Sequence, residues 1–144
     1  MAFDTSRIVS LTSPMHSNLR PPVASVPLVD VKGLSEALAT FAAERDWDQF
    51  HSPKNLVMAL TGEVGELSEV FQWLTEEASK SVATNPDTAT AVREELADVT
   101  LYLVRLASVL GVDLNEAVTQ KLQKNEVRYP VHKAHGSHKK YDKL

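Results

Sequence analysis

The chain has 144 residues, room for one domain with a real core, and its 43% hydrophobic content suits a folded globular protein. A net charge of −4 and a pI near 5.7 exclude a protein that grips nucleic acid through a broadly basic surface. Cysteine is absent, which removes disulfides, thiolate metal sites and cysteine nucleophiles together, and no apolar run approaches the roughly 20 residues needed to cross a membrane, so the expectation is a cytoplasmic protein without nucleic-acid or membrane partners.

Residues 1–28 mix Ser, Thr, Pro and isolated apolar residues without a sustained period, and end in Arg20-Pro21-Pro22-Val23-Ala24-Ser25-Val26-Pro27. Prolines remove backbone donors and disfavour helix before them, which predicts a flexible N-terminal arm. The arm lacks the continuous apolar stretch of a secretory signal; its Ser/Thr content with Arg7 and Arg20 leaves an organelle-targeting reading open. From Asp30 or Ser35 to Asp46 the spacing of Leu34, Leu38, Phe41 and Ala42 predicts a modest amphipathic helix. It runs into an aromatic and polar connector, Asp46-Trp47-Asp48-Gln49-Phe50-His51.

Ser52-Pro53 then reads as a helix start, with Ser supplying the N-cap oxygen and Pro fitting the first turn. The helix it opens is expected to run to about Ala78. Gly62 and Gly65 weaken it by up to about 1 kcal/mol each relative to Ala, which suggests that a neighbour or ligand comes close there. Lys80 to Asp87 is polar, and Asn85-Pro86 restarts a helix that continues to Leu110, where Gly111 stops it. Asp113 caps a further helix from Leu114 to about Arg128, ended by Pro130. His132 to Leu144 has no regular ligand spacing and reads as a solvated tail. With no convincing strand, the result is an all-α four-helix bundle. Its organisation is an arm over 1–28, a domain over 29–132 and a polar C-terminal tail over 133–144.

The two long helices each hold an acidic pair three residues apart, Glu63 with Glu66 and Glu95 with Asp98, at a constant offset of 32 residues. Leu60, Leu67, Phe71 and Leu74 answer at the same offset to Val92, Val99, Leu103 and Leu106. Positions i and i+3 share a helix face, so each pair sits on the shoulder of its apolar stripe. Packing the stripes together would bring four carboxylates to one place, tolerable only if protonated or neutralised by a hard cation. Oxygen donors without thiolates suit Mg²⁺, with Mn²⁺ as a substitute, and an incompletely coordinated Mg²⁺ invites phosphate oxygens. Glu69, Glu76, Glu77 and Glu94 read instead as ordinary solvated charges. Lys121, Asn125 and Arg128 lie at i, i+4 and i+7 on one face of the last helix, either a clamp for polyphosphate or a plain solvent face. Tyr102 and Arg105 fall on the side of Glu95 and Asp98, as phosphate contacts or supports behind them. Trp47 and Trp73 would either flank a nucleobase or be buried between subunits.

Taken together, Phe41-Ala42-Ala43-Glu44-Arg45-Asp46-Trp47, Gly62-Glu63-Val64-Gly65-Glu66-Leu67 with Phe71-Gln72-Trp73, Glu94-Glu95-Leu96-Ala97-Asp98-Val99 with Tyr102-Leu103, and Lys121 through Asn125 to Arg128-Tyr129-Pro130-Val131-His132 closely resemble the MazG-like all-α nucleotide pyrophosphohydrolases. Within that group the chain looks most like the dCTP pyrophosphatases. The resemblance covers about Leu34 to His132. It implies Mg²⁺-dependent hydrolysis of a deoxynucleoside triphosphate, dCTP or a modified dCTP, to the monophosphate and pyrophosphate, as house-cleaning of the nucleotide pool by a homodimer or homotetramer. By motif, Glu63, Glu66, Glu95 and Asp98 would be the catalytic metal ligands. Lys121, Asn125, Arg128 and Tyr102 would hold phosphates, and Trp47 and Trp73 would flank the base. Leu38 stands where close dCTP-hydrolysing relatives carry a His that helps to hold the base. Two alternatives remain: a pyrophosphatase of broader, non-canonical substrate range, and a helical nucleotide-binding or oligomerisation module without catalysis.

Overall fold

In the computed structural model the described residues are 27–143, so the expected arm lies outside them apart from its last two positions. Six helices follow in chain order: α1 (Lys32–Ala43), α2 (Pro53–Phe71), α3 (Glu76–Ser79), α4 (Ala89–Leu110), α5 (Leu114–Arg128) and α6 (Val131–Ala134). Single 3-10 turns occur at Asp48–Phe50 and Tyr141–Lys143, and the described residues contain no strand. None of these helices is long and apolar enough to cross a membrane.

Local chemistry explains most of the boundaries. α1 ends where Asp46 takes a left-handed conformation (φ 53°), one that Asp tolerates better than most residues. The Trp47 amide then donates back to the Ala42 carbonyl at 2.9 Å. Ser52 caps α2 by accepting from the Asn55 amide at 3.3 Å, and the Asn55 side chain donates to the Phe50 carbonyl at 3.0 Å, tying the connector to the helix it precedes. Gly111 adopts φ 65° at the end of α4, and Asp113 caps α5 by accepting from the Glu116 amide at 2.9 Å.

Two expected boundaries need correction. The helix expected to reach Ala78 stops at Phe71; Thr75 turns its hydroxyl to the Ala78 amide at 3.1 Å and opens the short α3 with Glu76 and Glu77 in its first turn. The apolar period runs on through Leu74, but a side-chain cap within the run costs less than continuing the helix past it. The helix expected from Asn85-Pro86 begins at Ala89 instead, because Asn85 closes one separate turn, accepting at its carbonyl from the Ala89 amide (2.8 Å). Thr88 then donates its hydroxyl to the carbonyl of buried Val82 at 2.7 Å, holding the turn onto the bundle.

α4 is the central element, packed chiefly against α2 and next against α1. Ala42, Leu56, Val82, Val92, Val104 and Ala107 are the buried apolar residues. Leu103, expected in the buried stripe, is 43% exposed. Having helices on two sides turns Val104, Arg105 and Ala107 inward at that level and leaves Leu103 outward. Gly62 and Gly65 do not admit a close neighbour from this chain: a Cβ at either would meet open space. α5 makes only slight contact with the other helices. Most of the described residues beyond it are exposed, yet the ring of Tyr141 meets Tyr129 edge-on (centroids 6.0 Å apart) and lies under the Arg128 guanidinium at 4.9 Å.

Candidate active site

α2 and α4 bring the two acidic pairs together. Glu63, Glu66 and Glu95 each present a carboxylate oxygen, all within 4.8 Å of one another. Asp98 lies beside them, its charge acting on both Glu63 and Glu95. The start of α2 (Leu56) shares a chamber with Leu101 and Arg105 further along α4, while Glu63 and Glu66 meet Glu95, so the two helices run in opposite directions and the pairs cross, Glu63 toward Asp98 and Glu66 toward Glu95.

The electrostatic state of the cluster follows from this crowding. Burial, then the charges of Asp98, Glu66 and Glu95, raise the Glu63 carboxyl above its ordinary value. Burial also raises Glu95, with Glu66, Asp98, Glu94 and Glu69 adding to it. Oε2 of Glu95 is fully buried and has no hydrogen-bond partner among the described residues. A buried carboxylate oxygen left without a partner is unfavourable, and a divalent cation shared with Glu63 and Glu66 would satisfy it. These all-oxygen donors fit a hard cation.

Asp98 also borders a chamber of about 240 Å³, lined by Leu38, Phe41, Trp47, His51, Leu56, Asp98, Leu101, Tyr102 and Arg105. Its aromatic wall is built by the turn at Asp46: Trp47 meets Phe41 edge-on at 5.7 Å between centroids, and His51 at 6.3 Å. Arg105 closes the other side from α4, paired with the Asp48 carboxylate and donating Nε–H to His51 Nδ1 at 3.1 Å. The chamber lies at or below the small end of ligand pockets, roughly 300–1,000 Å³, and takes a flat ring rather than a whole nucleotide.

Of the residues singled out by sequence, one chain thus assembles Glu63, Glu66, Glu95, Asp98, Trp47, Tyr102, Arg105 and Leu38. Trp73, just past the end of α2, is 88% exposed and does not line the chamber. Nor do Lys121, Asn125 and Arg128 on α5, where Lys121 and Arg128 are exposed and Asn125 is half-buried. Sequence reasoning gave no ligand-facing role to Phe41, Asp48, His51, Leu56 or Leu101. The one available signal was a connector dense in aromatic and ionisable side chains between two helices.

An all-α bundle whose two central helices converge on a carboxylate cluster, with an aromatic chamber at its edge, belongs to the class of helical bundles whose all-oxygen donor set could hold a hard cation. Residues 59–144 match the MazG-like family, and the chain belongs to that family. It is 47% identical over 123 residues to dCTP pyrophosphatase 1 of Rattus norvegicus, covering 85% of this chain and 72% of that protein. The Homo sapiens protein of the same name is 52% identical over 106 residues, 74% of this chain and 62% of its own length. A crystal structure of a pyrophosphatase from Archaeoglobus fulgidus superposes with a TM-score of 0.64 at 38% identity, covering 69% of this chain and 92% of that one.

Proposed function

We propose that the protein hydrolyses a deoxynucleoside triphosphate, dCTP or a modified dCTP, to the monophosphate and pyrophosphate, clearing the cytosolic nucleotide pool. The observation that carries this reading is the position of Asp98, which borders both the carboxylate cluster and the aromatic chamber. A ligand with a flat ring in the chamber then has its phosphates at the cluster. The similarity to proteins named dCTP pyrophosphatase supports the same substrate class.

Glu63, Glu66, Glu95 and Asp98 would hold Mg²⁺, or Mn²⁺ in its place. The bound metal supplies charge for the triphosphate oxygens and lowers the pKa of a water. The chain's own residues do the rest. Trp47 and Phe41 orient the base, Tyr102 reaches the phosphates beside Asp98, and a cluster carboxylate left free of metal, Glu63 or Glu66, accepts the proton of the attacking water. Lys121, Asn125 and Arg128 would clamp the polyphosphate and Trp73 would cover the base once copies of the chain assemble. In support, α5 makes slight contact within its own chain, and Trp73, Val127 and Val131 are all more than three-quarters exposed. A homodimer or homotetramer buries such residues.

Purified protein with dCTP and Mg²⁺ is expected to yield dCMP and pyrophosphate by chromatography, and the Glu63→Gln variant and a metal-free control are expected to yield neither. Nucleotides left intact across a panel of dCTP, 5-substituted dCTP, dUTP and dTTP would overturn the reading in favour of a binding module. One observation favours a broader range: Leu38, Leu56 and Leu101 give the chamber an apolar wall that would accept a substituted base. Comparable turnover across the panel would establish that range.

A further inference from the structure

Arg105 is the buried charged residue of α4, 9% exposed, and two of its donors are committed inside the chain. One guanidinium nitrogen, Nη2, donates to the Asp48 carboxylate, and Nε–H donates to Nδ1 of His51 at 3.1 Å. A guanidinium has five donors, no acceptor, and a charge it does not lose. His51 Nδ1 must therefore present its lone pair, which puts the ring proton on Nε2. The edge contact with Trp47 (67° between planes) fixes the ring from its other side. Among the described residues no hydrogen bond is made by His51 Nε2, and the ring lines the chamber.

We propose that Arg105 is a positioning residue that locks His51 as the neutral Nε2–H tautomer, making His51 a fixed hydrogen-bond donor that reads the nucleobase. This rests on the chamber being the base site. A donor that cannot turn acceptor pairs with the unprotonated ring N3 of a cytosine-type base. It opposes the N3–H of uracil or thymine, where two donors would meet with neither satisfied. Arg105 thus selects between bases through the proton it fixes on His51. Its buried charge is the cost of the device, offset by Asp48.

The test combines steady-state kinetics on dCTP and dUTP with the ¹⁵N spectrum of the His51 ring, using the wild-type chain, Arg105→Lys, His51→Asn and the double variant. In the wild type the spectrum is expected to show a protonated Nε2 and an unprotonated Nδ1. His51→Asn keeps an acceptor for Arg105 and deletes the reading nitrogen. It is expected to lower the dCTP-to-dUTP ratio of kcat/KM about tenfold, mainly through KM. Arg105→Lys, which lacks the planar fork, is expected to spread the ring proton over both nitrogens and lower the ratio similarly, with the double variant no worse than either single. A wild-type ring protonated on Nδ1 would overturn the proposal, as would a His51→Asn ratio within about twofold of wild type, well inside a single hydrogen bond's worth. The His51→Asn result and the wild-type spectrum decide the matter even where Arg105→Lys fails to fold. Absence of all turnover by the wild type overturns the function proposed above together with this contact, whereas dCTP turnover with an unchanged ratio in His51→Asn overturns this inference alone.

Discussion

Glu63 and Glu95 face each other's charge and those of Glu66 and Asp98, with no ion pair to either among the described residues. Glu63→Gln or Asp98→Asn is therefore expected to lower turnover by at least about 100-fold while the metal-free protein melts higher, because a repelling charge is gone. A variant that is inactive and also less stable by calorimetry would count against repulsion as the dominant force at this place. The sign of the pH dependence follows from the direction of the shifts. Both carboxyls lie above their ordinary value in the folded chain, so folding retains protons that the unfolded chain releases. The stability they contribute is full below that value and is lost as pH rises through the folded values. Metal binds only the deprotonated groups, so the rise in Tm on adding Mg²⁺ is expected to be larger near pH 7.5 than at about pH 5. Equal rises would remove these carboxylates from the metal site. The acidic residues were legible because the i, i+3 spacing is a property of one helix. His51 and Asp48 were not, since their meaning depends on Arg105, more than fifty positions away in the chain.

At the scale of elements, the boundaries that came out as read are those fixed by a single residue's chemistry. Asp113 and Gly111 set the start of α5 and the end of α4 without help from the rest of the fold. Gly111→Ala, forced to keep φ near 65°, is expected to destabilise the protein by about 1–2 kcal/mol in urea denaturation, since an L side chain clashes there. A change below about 0.3 kcal/mol would show that the turn between α4 and α5 relaxes freely, as ordinary surface positions do. The end of α2 was misread because two signals overlapped: the apolar period carries through Leu74 while Thr75 with Glu76 and Glu77 marks a fresh start. Leu103 was misread for a different reason. A stripe inferred from one pair of helices does not anticipate a third, α1, lying against α4.

For the whole molecule, one chain's core is thin. Its buried apolar set includes two alanines and three valines around Leu56, while Trp73, Val127, Val131, Met58 and Phe50 stay largely in solvent. Such surface is expected to be covered by further copies of the chain. Sedimentation at micromolar concentration is expected to give a multiple of the 15.9 kDa protomer; a monomer at that mass would leave Lys121, Asn125 and Arg128 without a route to the cluster. The all-α architecture was readable from helical periods and caps. The chamber was not, being built where α1, the connector and α4 meet.

The crossed pairing of Glu63 with Asp98 and Glu66 with Glu95 has a consequence for how a substrate lies. Two helices of matching design set head to tail put an acidic pair at each end of the cluster, so the carboxylates alone would give a proposed triphosphate little to tell one end from the other. What breaks that equivalence is the connector turned at Asp46, which sets Trp47 and His51 edge to face at the Asp98 end of the cluster. On the proposed function, direction along the site would be written by a six-residue loop rather than by the carboxylates, and a change in that loop would reassign the leaving group's end without moving one of them.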